Sequence, residues 1–336
     1  MKYLPLLFLL LCLACQQNGT KQTADKPGDS VLHSPLLLPL TDSIRQFPDN
    51  ANLYFRRGLL LFNTDPALAL NDFEKAAQLD PKVTDHWAGA GEAALVTEQY
   101  EKAGNFFEKA LQTVPGNTYL QYRLATAWIE KGHYERADSL AGVMGQKQAS
   151  APQSFYLKAR IAEDRKDTTQ AIAHLKAAVA AGGKESEYNA VLELADLLHA
   201  RHAPDAPKYY ELALELDPTN ADPLFELAKY YEELGKAKEA TATYKRCVET
   251  DPGYAPAYIA LGKQETARRQ WKAGLSFFNL AARARPNEAE AYYYRGQCYE
   301  QLGNKAAAAD DYRKAISFKR DYQEAKAALE RVTQKA

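Results

Sequence analysis

The chain has 336 residues, 46% hydrophobic and 25% charged, which is enough apolar material to fold rather than remain a disordered tail. Lys and Arg number 42 against 43 Asp and Glu, so the basic excess of a nucleic-acid binder is absent. Tyr occurs 21 times, a number that needs a structural home.

The first stretch, "MKYLPLLFLLLCLAC", has one early Lys and an apolar run from Leu4 to Ala14. The run is too short to span a bilayer and fits the core of a signal peptide. It ends in "LAC" followed at once by polar "QQNGTKQ". This resembles the bacterial lipoprotein signal, whose cysteine is acylated and becomes the new N-terminus. The resemblance implies a signal peptide over residues 1–14, lipid on Cys15 and small Ala14 at the cleavage point. It departs from the motif at Cys12, where Leu is usual. It also implies a place in the bacterial cell envelope, lipid-anchored in the outer membrane and facing the periplasm. Cys12 and Cys15 mimic a redox or zinc pair, but their position inside a secretion signal argues against that chemistry. Residues 15–31 are polar with Gly, Pro, Thr and Ser and read as a flexible tether, with a reach of about 20–25 Å. Next, Leu37, Leu40, Ile44 and Phe47 fall at helical spacing and predict one amphipathic helix in 32–50, ending before Pro48.

From Ala51 a pattern recurs every 34 or 35 residues. Small residues stand at Ala69, Ala103, Ala137, Ala171, Ala206, Ala240, Gly274 and Ala308. Four residues after each comes Phe73, Phe107, Ala141, Leu175, Tyr210, Tyr244, Phe278 or Tyr312. Three further on is another small or soft residue, and five beyond that Pro81, Pro115, Pro218, Pro252 or Pro286. Spacings of four and three share one helix face, and the proline stops the helix. An earlier helix in each unit carries a large residue, such as Tyr54, Trp87 or Phe155, then a small one four places later, such as Gly58, Gly91 or Ala159. Turn residues such as Gly132, Gly235 and Gly303 separate the two helices.

These columns resemble the tetratricopeptide repeat, a helix-turn-helix unit of about 34 residues. "WAGAGEAALVTEQYEKAGNFFEKALQTVP" matches it best. Eight repeats follow, at 51–83, 84–117, 118–151, 152–185, 188–220, 221–254, 255–288 and 289–322. The first and fifth are one residue short in the turn, Ser186 and Glu187 are an insertion, and the fourth has Lys158 where Leu is usual. The resemblance implies an all-α fold, an α-solenoid with a right-handed superhelix. One pair of short helices cannot bury its own apolar face, so copies stack until a continuous core exists. Residues 323–336 read as a capping helix with the stripe Ala325, Ala328, Leu329 and Val332.

Catalytic chemistry is hard to find. No phosphate-cradling Gly-rich loop, nucleophile elbow or zinc-protease motif occurs. His199 and His202, with Asp205 nearby, have a spacing that can hold a metal, but an inter-helix turn favours such polar residues anyway. Glu163 and Asp164 are adjacent and face different ways. Cys247 and Cys298 fill small apolar slots and read as buried free thiols. We expect no catalytic residue, cofactor, metal site or nucleic-acid partner.

What remains is surface. In the resembled family, residues one, five and eight places after the large slot line a concave groove that binds peptides and partner helices. Here those columns include Phe55, Tyr122, Tyr156, Phe225 and Tyr293 at the first place. Arg160, Asp196 and Lys229 stand at the second, and Phe62, Leu95 and Ile129, then Glu163, at the third. The groove is therefore expected to be apolar toward its N-terminal end and acidic-to-polar beyond. Arg160 stands at the border, where it would orient a carboxylate on a partner. Relatives that clamp C-terminal carboxylates carry Lys at the first place, and none of the eight positions here is Lys. The expected function is a non-catalytic scaffold for protein or peptide partners of the envelope. The alternative is an envelope protein that stacks glycans or small ligands on the groove aromatics.

Overall fold

Each repeat becomes a helical hairpin because its small column lets two helices nearly touch. The computed structural model describes residues 29–334. Every regular element among them is helical. The chain divides into two compact units, residues 1–116 and 117–336.

In the first unit, α1 (Asp29–Leu32) and α2 (Leu38–Gln46) precede two hairpins, α3 (Ala51–Leu61) with α4 (Pro66–Leu79) and α5 (Thr84–Val96) with α6 (Tyr100–Thr113). The N-terminal helix expected from Leu37, Leu40, Ile44 and Phe47 is α2, while α1 is a short extra turn at the end of the stretch read as tether. Leu37, Thr41 and Ile44 are buried, but Phe47 is 60% exposed. Phe47 takes φ −130° as the helix ends, because Pro48 disfavours helix in the residue before it, and its ring leaves the apolar face.

The second unit has six hairpins. They are α7 (Thr118–Glu130) with α8 (Tyr134–Met144), α9 (Ala151–Asp164) with α10 (Thr168–Gly182), and α11 (Tyr188–Ala200) with α12 (Ala206–Leu216). Then come α13 (Asp222–Glu233) with α14 (Ala237–Thr250), α15 (Ala255–Ala267) with α16 (Trp271–Ala284), and α17 (Ala289–Gln301) with α18 (Lys305–Phe318). The last helix, α19 (Gln323–Thr333), covers the end of the unit with buried Ala325, Ala328 and Val332. The fold is an α-solenoid. No helix among the described residues is long and apolar enough to cross a membrane. The signal peptide, Cys15 and most of the tether lie outside the described residues.

Local chemistry explains the boundaries. Asp65, Asn117, Asp167 and Asn304 cap α4, α7, α10 and α18 by accepting a hydrogen bond from the third N–H of the helix. Where the closing proline is missing after α8, serine hydroxyls take over. Ser150 donates to the Met144 carbonyl at 2.6 Å and Ser154 to that of Ala141 at 2.7 Å, satisfying carbonyls that a helix end leaves open. The inserted Ser186 does the same for Val179 at 3.1 Å. In every hairpin but that of α3 and α4 the turn between paired helices holds one left-handed residue. Gly132, Gly235 and Gly303 supply it with φ of 82°, 70° and 82°. Glu98, Lys166, His202 and Arg269 hold the same place without being glycine.

The core is a file of side chains, one from each hairpin. Phe73, Phe107, Ala141, Leu175, Tyr210, Tyr244, Phe278 and Tyr312 are all essentially inaccessible. Where this residue is Phe it faces Gly: an added Cβ would lie 2.8 Å from the Phe73 ring at Gly58, 2.6 Å from Phe107 at Gly91 and 2.6 Å from Phe278 at Gly262. Cys247 and Cys298 are buried and free, and burial pushes each thiol up to about 12, which leaves them inert packing groups at neutral pH.

Two hairpins break the apolar rule in the same way. Arg57 precedes Gly58 and forms a two-pronged pair with Asp72, at 2.7 and 2.8 Å. A third nitrogen reaches the Thr41 hydroxyl at 3.2 Å, and that hydroxyl donates to the Leu32 carbonyl. In the last hairpin Arg295, preceding Gly296, grips Asp311 at 2.7 Å through both prongs and Asn279 at 3.1 Å.

Candidate groove on the first helices of the second unit

The first helices of successive hairpins each present one half-exposed face. On α7 and α9 that face carries Tyr122 and Tyr156, both half-buried against the core beneath them. Burial first, then the Glu193 charge, raises the Tyr156 phenol well above its ordinary range. Burial and the charge of Glu187 raise Tyr122 as well. Both rings are therefore neutral donors at physiological pH.

One turn beyond Tyr156, Arg160 donates to Glu130 of α7 at 2.6 Å. The guanidinium expected to orient a partner's carboxylate thus already holds one from its own chain. A further turn along stands Glu163. Burial, then neighbouring Glu193, pushes Glu163 up to about 8, against the opposing pull of Arg160. At the next step the Tyr210 hydroxyl donates to the Asp196 carboxylate at 2.7 Å.

Beside Tyr122 opens a cleft of about 370 Å³, lined by Thr118, Tyr119, Tyr122, Arg123, Gln153 and Glu187. Its lining residue Gln153 carries, in Oε1, the sole buried side-chain oxygen or nitrogen among the described residues that has no partner. A second cleft, of about 290 Å³, lies farther along the same unit between Phe225, Lys229, Glu232 and Lys263. Lys229 is tied there to Glu226 at 2.7 Å.

The other columns divide. Phe55, Phe62 and Leu95 are half-buried in the first unit, where the Phe55 ring packs 5.6 Å from Phe73 and 5.1 Å from His86. Ile129 is 2% exposed and belongs to the core, not to a groove wall. Ala137, Met144 and Leu157 enclose it, because α9 packs over that turn of α7. Tyr293 is half-buried among Tyr294, Tyr312 and Tyr322, beneath the C-terminal helix. His199 Nδ1 lies 3.1 Å from the Tyr210 hydroxyl and Nε2 3.0 Å from Glu233, while Asp205 pairs with Lys176 at 3.0 Å.

Column reading missed Glu130, Glu193 and Gln153. Glu130 and Glu193 each sit one residue outside the three groove columns and meet a column residue of the neighbouring hairpin. Their signal was that offset, visible only once adjacent hairpins are stacked.

Family models described as tetratricopeptide repeat match residues 59–118, 97–161, 156–221, 209–242 and 289–322. A tetratricopeptide repeat and J domain-containing co-chaperone of Fusarium oxysporum is 33% identical over 86 residues, 26% of this chain and 16% of the relative. The Hsp70-Hsp90 organizing protein 1 of Glycine max is 25% identical over 115 residues, 34% of this chain and 20% of the relative. Superkiller protein 3 of Saccharomyces cerevisiae is 31% identical over 86 residues, 25% of this chain and 6% of the relative. The match spans a fifth or less of each of these proteins. The crystal structure of MamA protein overlaps 52% of this chain and 96% of its own, with 19% identity and a TM-score of 0.44. With the repeat matched in tandem along the hairpins described above, the chain belongs to the tetratricopeptide repeat family.

Proposed function

We propose that this protein is a non-catalytic scaffold, lipid-anchored in a bacterial cell envelope, that holds a segment of a partner protein on the first-helix face of its second unit. The observation that carries the reading is the row of Tyr122 and Tyr156 beside the 370 Å³ cleft. The rings are rigid, half-exposed and anchored in the core, and they end in hydroxyls that can donate. Rigid aromatic anchors concentrate binding energy in protein interfaces. Relatives whose names describe organising Hsp70 with Hsp90, or acting as a co-chaperone, favour a protein partner over a small ligand.

A photo-crosslinking residue in place of Tyr119, which is 56% exposed at the cleft, identifies the partner in cells. The double variant Tyr122→Ala with Tyr156→Ala is then expected to bind that partner about 30-fold more weakly, the effect of losing one good anchor, about 2 kcal/mol. If circular dichroism shows it folded and its affinity equals wild type, the groove reading fails.

Anchoring rests on the sequence of residues 1–31. Cells fed a clickable fatty acid are expected to label the wild type and not Cys15→Ser. Equal label on both would remove the lipoprotein assignment.

A further inference from the structure

We propose that the first unit carries a second binding site, one that takes an arginine of a partner protein together with the apolar residues beside it, and that His86 Nε2 is an acceptor in this site. The site is a cleft of about 970 Å³ between the chain that leaves α2, the start of α3 and the turn from α4 into α5.

His86 is 6% exposed, and its ring packs 5.1 Å from that of Phe55. Its Nδ1 lies 3.2 Å from the Asp80 carbonyl oxygen. A carbonyl only accepts, so Nδ1 donates, and the other nitrogen of a neutral imidazole is then an acceptor. Nε2 has no hydrogen-bond partner among the described residues. It is not sealed in either, since among them Gln153 Oε1 alone is both buried and unpartnered. The ring lines the cleft, and a bare lone pair is what it has left to offer there. One residue on, the Trp87 indole donates to the Pro81 carbonyl at 2.9 Å. Consecutive carbonyls of the turn thus fix consecutive rings of α5, and the acceptor is held in place before any ligand arrives.

The rest of the wall calls for a cation. Asp49, Asp80 and Asp85 line the cleft, and no Lys or Arg does. Asp49 and Asp85 have no hydrogen bond or ion pair from their side chains to any described residue. Helix dipoles favour carboxylates where α3 and α5 begin. That accounts for Asp49 and Asp85, but not for the bare imidazole nitrogen or the apolar rim, where Phe47 is 60% exposed and Val83 37%. A metal ion is a poorer fit, as no three His, Cys, Asp or Glu among the described residues stand so as to share one. An anion would meet three carboxylates and no lining Lys or Arg. A guanidinium fits best. Its donors lie in one plane, it reaches acceptors on separate elements at once, and its face stacks on aromatic rings. An ammonium is compact and more strongly hydrated. A cleft of this size holds more than one side chain, and Phe47 and Val83 suit apolar neighbours of the arginine.

The probe is a fluorescein-labelled Ala-Leu-Arg-Leu-Ala peptide, with citrulline, Lys or Glu in place of Arg as matched controls. It is titrated into the full mature chain at about pH 8, where an ordinary imidazole is neutral. The Arg peptide is expected to bind at least about tenfold tighter than the citrulline peptide, as exposed carboxylates contributing up to about fivefold each allow. It is expected to bind at least about threefold tighter than the Lys peptide. Asp49→Asn with Asp85→Asn is expected to erase most of the preference for Arg over citrulline. Glu215→Gln with Glu239→Gln, exposed carboxylates on α12 and α14, controls for net charge and keeps it. His86→Phe, which keeps a ring and removes the acceptor, is expected to weaken the Arg peptide at least about tenfold, as loss of a hydrogen bond to a charged group does. Where that change disturbs α5, the wild-type histidine spectrum decides: His86 is expected to carry its proton on Nδ1, with a bare Nε2 whose resonance shifts as the Arg peptide is added. Equal affinity for the Arg and citrulline peptides, an unaffected Asp49/Asp85 variant, a proton on Nε2, or an Nε2 resonance that ignores the peptide overturns the proposal. Arginine amide binding as tightly as the peptide also overturns it, since the occupant would then be a free small cation. So does tighter peptide binding by Lys21→Gln with Lys26→Gln, which gives the cleft to the chain's own N-terminal stretch, or a dimer that the peptide breaks, which gives it to a second copy. Tyr122→Ala with Tyr156→Ala is expected to leave this binding unchanged, so the two sites stand or fall separately.

Discussion

Asp72→Ala is expected to destabilise the first hairpin by about 3–5 kcal/mol, because it leaves a buried guanidinium without its counter-charge. Arg57 and Asp72 expose only 10% and 7% of their side chains. Solvent cannot screen the orphaned charge, and Thr41 alone offers it one weak bond at 3.2 Å. The damage should extend to α2, since Thr41 ties Arg57 to the Leu32 carbonyl. Hydrogen exchange is expected to show α2, α3 and α4 losing protection together. Replacing both partners gives the opposite sign. Leu124 with Leu140 and Leu261 with Phe277 occupy the same two slots in other hairpins. Arg57→Leu with Asp72→Leu should therefore be neutral or stabilising by up to about 4 kcal/mol, as removing a buried ion pair in favour of apolar packing often is. A urea titration decides between them. A loss below about 1 kcal/mol for Asp72→Ala would mean that the pair behaves like a surface bridge.

The helical repeat was legible because its columns obey the 3.6-residue period and recur eight times. The Gly58, Gly91, Gly262 and Gly296 positions announce close packing in the sequence itself. Three features were not legible, each for a physical reason. Ile129 falls in a groove column, yet α9 covers it, and burial between hairpins is not a property of either helix alone. Glu163 and Glu193 lie on the first helices of adjacent hairpins, so their proximity is tertiary. Phe47 fits the apolar stripe of α2, but the backbone turns just before Pro48. The turns were read from glycine, whereas Glu98, Lys166, His202 and Arg269 take the same left-handed conformation. A turn closed on both sides by packed helices can impose that conformation at a cost of order 1 kcal/mol. The acidic face of the second unit is therefore the least sequence-evident part of the molecule, and the part with the most chemistry.

Gly262→Leu is expected to destabilise the hairpin of α15 and α16 by about 3 kcal/mol, the upper end for overpacking a core. Even a methyl group there would stand 2.6 Å from the Phe278 ring, which is fully buried and has no open space to swing into. Gly262→Ala sets two effects against each other. It gains about 1 kcal/mol of helix propensity and incurs the clash. The chain itself indicates how the clash is relieved. In the fourth hairpin the same two slots hold Ala159 and Leu175, both inaccessible, with no glycine needed. Phe278→Leu should thus convert the seventh hairpin to the packing of the fourth. The double variant Gly262→Ala with Phe278→Leu is then expected to be more stable than the sum of the two single changes predicts, by about 0.5–3 kcal/mol, the range seen for residues in direct contact. The readout is a double-mutant cycle from denaturant melts. Additivity within about 0.5 kcal/mol would show that the two positions do not sense each other. In that case the pairing of Gly with Phe and of Ala with Leu across hairpins would be coincidence rather than a packing rule.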